Sequence, residues 1–89
     1  MLSKNAEIIN KLGLHARAAA KLTHIASGYQ CEIWLSRSGR RVNAKSIMGV
    51  MMLAAGQGTT VLIEAKGDDA EHAVAAILKL IADKFGEGE

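Results

Sequence analysis

The segment Gly13-Leu14-His15-Ala16-Arg17-Ala18-Ala19-Ala20 sets an imidazole and a guanidinium two positions apart, where a strand-like stretch gives way to a helical one. The first turn of a helix carries backbone N–H groups without intrahelical acceptors and a partial positive charge, so it draws anions. A neutral imidazole is a competent nucleophile near neutral pH. Arg17 can meet a dianion with two parallel hydrogen bonds. The alanines at 16, 18, 19 and 20 keep the surroundings small, so a large partner could approach the ring closely. The chemistry suggested is a phosphoryl group held on His15, with Arg17 and the first-turn amides offsetting its charge. A surface histidine at a helix start has the blander alternative of simple solvation. His15, His24 and His72 share no metal-ligand spacing.

A second cluster is Lys45-Ser46-Ile47-Met48-Gly49-Val50-Met51-Met52-Leu53. Ser46 is placed to cap a short helix over 47–53, a role worth about 0.5–2 kcal/mol. That helix has more apolar residues than one buried face needs. Val50 and Leu53 can face the core, which leaves some of Ile47, Met48, Met51 and Met52 toward solvent or a partner. Methionines repack easily against several partners.

These residues must be positioned by 89 residues, enough for one domain spanning 1–89 and one modest core. Hydrophobic content of 49% with 22% charged residues suits a soluble globular protein. Cys31 is the only cysteine, which excludes an intrachain disulfide and points to a reducing, cytoplasmic setting. No signal peptide or membrane-spanning run is evident, and no cofactor motif is found. A net charge of +2 does not demand a nucleic-acid partner.

Apolar periodicity predicts a strand over 4–10, a turn at 11–14 and a helix over 16–27 stopped by Gly28. A second strand has Cys31, Ile33 and Leu35 on one face, with a hairpin turn at 36–39 and a short strand over 41–44. After the 47–53 helix comes a strand with Val61, Ile63 and Ala65 inward. The last helix is expected to be capped by Asp68, with Glu71 completing a capping box and Ala70, Ala73, Val74, Ile77, Leu80, Ile81 and Phe85 as its stripe. Trp34 reads as a partly exposed packing residue, His72 as solvated, and the tail 86–89 as frayed. The order β-α-β-β-α-β-α predicts an α+β two-layer open-faced sandwich: a four-stranded antiparallel sheet covered on one face by three helices. An RNA-recognition module shares much of this order, but three aromatic residues in total, one each of Trp, Tyr and Phe, do not supply its stacking platform.

The blocks G-L-H-A-R-A-A-A at 13–20 and N-A-K-S-I-M-G-V-M-M-L at 43–53 together resemble the HPr family, the histidine-containing phosphocarriers of the bacterial phosphoenolpyruvate-dependent phosphotransferase system. The resemblance runs over essentially the whole chain. It implies a carrier, not an enzyme by itself, that takes a phosphoryl group on Nδ1 of His15 from enzyme I and passes it to enzyme IIA domains. It further implies regulatory phosphorylation of Ser46 by an HPr kinase/phosphorylase, and a choice between sugar-uptake and nitrogen-type branches. The docking surface it implies comprises Ala16, Ala20, Lys21, His24, Lys45, Ile47, Met48 and Met51, on a monomer with no cofactor, metal, nucleic acid or membrane insertion. The family's usual proline after His-Ala-Arg is Ala18 here, which removes a preset φ but adds a backbone N–H.

Overall fold

Alternation builds the centre of the sheet. In the strands Glu32–Arg37 and Thr60–Lys66 every second residue is buried, namely Ile33 and Leu35 in the first and Val61, Ile63 and Ala65 in the second. The computed structural model describes residues 1–88. Its order is β1 (Leu2–Glu7), α1 (Ala16–Ser27), β2 (Glu32–Arg37), β3 (Arg40–Asn43), α2 (Ile47–Met52), β4 (Thr60–Lys66), α3 (Ala70–Ala82) and a closing 3₁₀ turn at Lys84–Gly86.

The strands form one sheet in the order β1-β4-β2-β3, with every neighbouring pair antiparallel. β1 and β2 flank β4 and therefore run parallel to each other, with α1 as their crossover. β3 and β4 flank β2 in the same way, joined through α2. Two split β-α-β units thus interlock, and their crossovers pack beside one another. Leu22, Val50, Ile77 and Phe85 from the helical layer are fully buried with the inward residues of β2 and β4. Each such side chain stabilises the fold by about 1.5–3 kcal/mol. The outer face of the sheet is polar. There Arg41 lies 4.1 Å from the centroid of the half-buried Trp34 ring and sets its Nε 3.3 Å from Glu64 Oε1.

The two-layer α+β layout expected from the sequence is the one observed, and the differences lie at element ends. β1 spans 2–7 instead of 4–10, because the chain leaves the sheet after Ile8, whose amide still bonds Thr59 O at 2.8 Å, and bends through the buried Asn10. β3 spans 40–43, since only Ser38 and Gly39 form the turn. α2 ends at Met52, with Leu53 as its C-cap. Asp69, not Asp68, precedes α3, and no capping box forms. The Asp69 carboxylate instead accepts from the backbone amides of Gln30 and Cys31, at 2.9 Å each. Gly28 closes α1 with φ −75°, so the left-handed stop is not used. Leu80, assigned to the stripe of the last helix, is only partly buried. Phe85 is buried, but from the 3₁₀ turn beyond α3.

The tail is the largest departure. Glu87 is not frayed: its carboxylate packs back onto the loop before α1 and bonds Asn10 and His15. Glu89 lies outside the described residues.

Candidate functional site

The site is built by a turn that only glycine permits. Gly13 has φ +66°, and a Cβ there would stand 2.6 Å from Ala55 O and 2.8 Å from Gly56 Cα. This close approach lets Leu14 N bond Ala55 O at 2.9 Å and sinks the Leu14 side chain into the core. Asn10 braces the same turn by donating from Nδ2 to Gly13 O at 2.8 Å. His15 follows as the N-cap of α1, with extended backbone angles (φ −74°, ψ 178°). Its carbonyl accepts the first helical bond, from Ala19 N at 2.8 Å. The amides of Ala16, Arg17 and Ala18 therefore precede the intrahelical ladder. Ala18 stands at a position where proline would forfeit no helical bond, and its side chain is fully buried.

The His15 side chain is 28% exposed. It makes no capping hydrogen bond with its own helix, so Nδ1 is not engaged by the first-turn amides. Nε2 is hydrogen-bonded to Glu87 Oε2, while Glu87 Oε1 accepts from Asn10 Nδ2 at 3.0 Å. These bonds, the one to His15 first, hold the Glu87 carboxyl below the usual carboxylate range. An ionised carboxylate only accepts, so the proton in the His15–Glu87 bond belongs to Nε2. Lys21 fixes the returning segment by donating from Nζ to Phe85 O at 2.6 Å. Lys84 and Phe85 both have φ +56°, a costly conformation that burial of the Phe85 ring offsets. Leu12, His15, Ala16, Arg17 and Glu87 line an open concavity of about 580 Å³. Arg17 is exposed on its wall, without an ion-pair or hydrogen-bond partner among the described residues.

The other sequence-selected residues divide into groups. Ala20, Lys21 and His24 continue along α1 and, with Ile25 and Leu80, line a separate apolar groove. Ile47, Met48, Met51 and Met52 are exposed on α2, and Val50 and Leu53 are buried beneath them, as the apolar excess of that helix implied. Lys45 does not join the rim near His15; its Nζ donates to Tyr29 O at 2.7 Å, beyond the other end of α1. Ser46 is the N-cap of α2, its Oγ accepting from Gly49 N at 3.1 Å. Among the described residues no group of three His, Cys, Asp or Glu side chains could hold a metal, and no helix is long and apolar enough to cross a membrane.

Asn10 and Glu87 are the site residues that sequence reasoning missed. Asn10 had a local signal, an Asx residue three positions before a glycine turn. Glu87 had none, being 72 positions from the ring it contacts.

The family model described as the PTS HPr component phosphorylation site matches residues 2–83. The chain belongs to the HPr family. It is 60% identical to the phosphocarrier protein HPr of Cupriavidus necator, over the full length of both chains. It is also 43% identical to the phosphocarrier protein NPr of Shewanella violacea, over 97% of this chain and 94% of that one. A solved structure of HPr from Thermoanaerobacter tengcongensis superposes with a TM-score of 0.95 at 48% identity, covering 98% of each chain. The protein is thus an HPr-type phosphocarrier of the phosphotransferase system, a family that acts with enzyme I and enzyme IIA.

Proposed function

We propose that His15 is the residue that carries the phosphoryl group, taken from phosphorylated enzyme I and delivered to enzyme IIA domains. The observation that supports this most directly is a part-exposed imidazole at the mouth of α1, with a guanidinium unpartnered among the described residues beside it in one open concavity. Transfer is an in-line displacement between two histidines. Arg17 and the amides of the first turn compensate the charge of the phosphoryl oxygens, so positioning and electrostatics do the work within the complex. The chain alone is then a carrier and not an enzyme. It acts as one domain and one protomer, in the cytoplasm where its free, buried Cys31 stays reduced.

The exposed Ile47, Met48 and Met51 of α2, with Ala16, Ala20, Lys21 and His24 of α1, form an apolar docking surface with a basic edge that suits acidic partners. Lys45, turned toward Tyr29, contributes to this surface only if that bond opens on docking. Ser46 is a site for regulatory phosphorylation by an HPr kinase/phosphorylase. A phosphate there would sit at a helix start that tolerates it, and it would act by repelling acidic partners from α2.

Incubation with phosphoenolpyruvate and enzyme I tests the carrier reading. Native protein takes an acid-labile label and His15→Ala takes none; failure of the native chain to label rejects the proposal. The nitrogen-type branch remains a second reading because of the NPr relative, while the 60% identity to an HPr favours the HPr branch. Labelling rates with the enzyme I proteins of each branch separate the two.

A further inference from the structure

Among the described residues, the carboxylate in contact with the His15 ring is that of Glu87, from the far end of the chain, and it meets the nitrogen opposite the one that the family modifies. We infer that Glu87 is a positioning residue for phosphoryl transfer: it keeps a proton on His15 Nε2, which leaves the Nδ1 lone pair to attack and lets the ring depart as neutral imidazole. This rests on the reading of His15 as the phosphoryl carrier.

The electron balance shows why the Nε2 proton matters. In the accepting step the Nδ1 lone pair forms the new N–P bond. The donor's N–P bond breaks, and its electron pair returns to the donor imidazole. The His15 ring, bonded to phosphorus at Nδ1 and to hydrogen at Nε2, then carries a positive charge. In the delivering step that N–P bond breaks toward Nδ1, and the ring leaves neutral. Were the Nε2 proton lost first, the leaving group would be an imidazolate anion, a far stronger base and a far poorer leaving group. A carboxylate fixed on Nε2–H favours the charged ring and so keeps the deliverable form populated to higher pH.

Glu87 is itself fixed. Asn10 holds its other oxygen, and Lys21 holds the backbone of the segment two residues earlier. Of the charged and titratable groups on the elements that meet here, Arg17, Lys21 and His24 belong to α1, Lys11 to the loop before it, and Asp83 and Lys84 to the C-terminal segment. Residues 47–58, comprising α2 and the following loop, carry none. Arg17 and Lys21 oppose a charged ring, and Glu87 is the carboxylate bonded to it.

The test is the pH profile of delivery to an enzyme IIA acceptor, measured by rapid quench on the intact phosphorylated chain, with ¹⁵N NMR of the ring following the Nε2 proton. Glu87→Gln keeps the size and an acceptor oxygen but removes the charge. The alkaline limb is expected to move down by about one pH unit, slowing delivery about tenfold on that limb, with Glu87→Asp restoring part of the shift. A merely structural role would leave the profile in place. Superimposable profiles for native protein and Glu87→Gln overturn the inference while native labelling by enzyme I still stands. A native chain that takes no label overturns the carrier reading, and this inference with it.

Discussion

Asp69 and Glu87 are carboxylates from remote segments that grip opposite ends of α1, and they differ in what they hold. Asp69 accepts from the amides of Gln30 and Cys31 just past the helix, and these bonds, Gln30 first, hold its carboxyl below the usual range. Glu87 is depressed in the same direction, chiefly by the His15 ring at the helix start. Backbone amides do not titrate, so the Asp69 contact is the same in every state of the protein. On the carrier reading the imidazole changes its covalent partner and its charge during transfer, so the load on the Glu87 contact changes with it. A similar carboxylate–N–H bond is scaffold at one end of the helix and part of the chemistry at the other.

The largest break in this contrast comes from the turn that delivers His15. Gly13→Ala is expected to cost about 2–4 kcal/mol, since it adds a strained positive φ to a clash with the Ala55 carbonyl. Urea unfolding measures it, and a loss below about 0.5 kcal/mol would show that the turn can relax. Next comes Arg17→Ala, expected to slow phosphoryl acceptance about tenfold or more while leaving the melting temperature unchanged, because the side chain is exposed and has no partner among the described residues. A rate within twofold of native would remove Arg17 from the charge-compensating role.

What the sequence made legible follows from periodicity. β2 and β4 announce themselves because both lie inside the sheet and alternate cleanly between buried and open faces. The early residues of β1 do not, because it is an edge strand in which only Leu2 and Ala6 are even partly buried, so Leu2 and Ser3 fell outside the strand expected from Lys4 onward. Ser46 was legible as a cap because capping is a local rule. The cap position was assigned to Asp68 where Asp69 stands, and nothing within α3 reports the Gln30 and Cys31 amides that Asp69 holds. Glu87 was illegible because a hydrogen bond across 72 positions leaves no local pattern, and two flanking glycines disguise it as tail.

A smaller effect sharpens the contrast directly. Asp69→Asn is expected to lower the melting temperature without changing the transfer profile, because the loop amides lose their charged acceptor far from the phosphoryl site. Glu87→Gln should shift the profile, with the smaller loss of melting temperature. Circular dichroism and quench kinetics on the same two variants decide it; a slower transfer in Asp69→Asn would mean that the two ends of α1 are coupled.

The smallest effect lies in acid. Both carboxyls have folded values below their unfolded ones, so each contributes stability that is complete above the ordinary carboxylate range, near pH 4, and is lost as pH falls through the folded values. Native protein should therefore lose melting temperature progressively below about pH 4, and a chain carrying both Asp69→Asn and Glu87→Gln should lose less over the same interval. Salt separates the two shares. The bond from Glu87 to a protonated ring is partly Coulombic between two part-exposed groups, and 1 M salt, with a screening length of about 3 Å, weakens it. The Asp69 bonds to neutral amides are short-range and largely survive. High salt should thus flatten the acid slope of Asp69→Asn, where only the Glu87 share is left, more than that of Glu87→Gln. Equal flattening in both would mean that Glu87 meets the ring as a neutral hydrogen-bond acceptor, in which case it could not hold a charged imidazole through transfer.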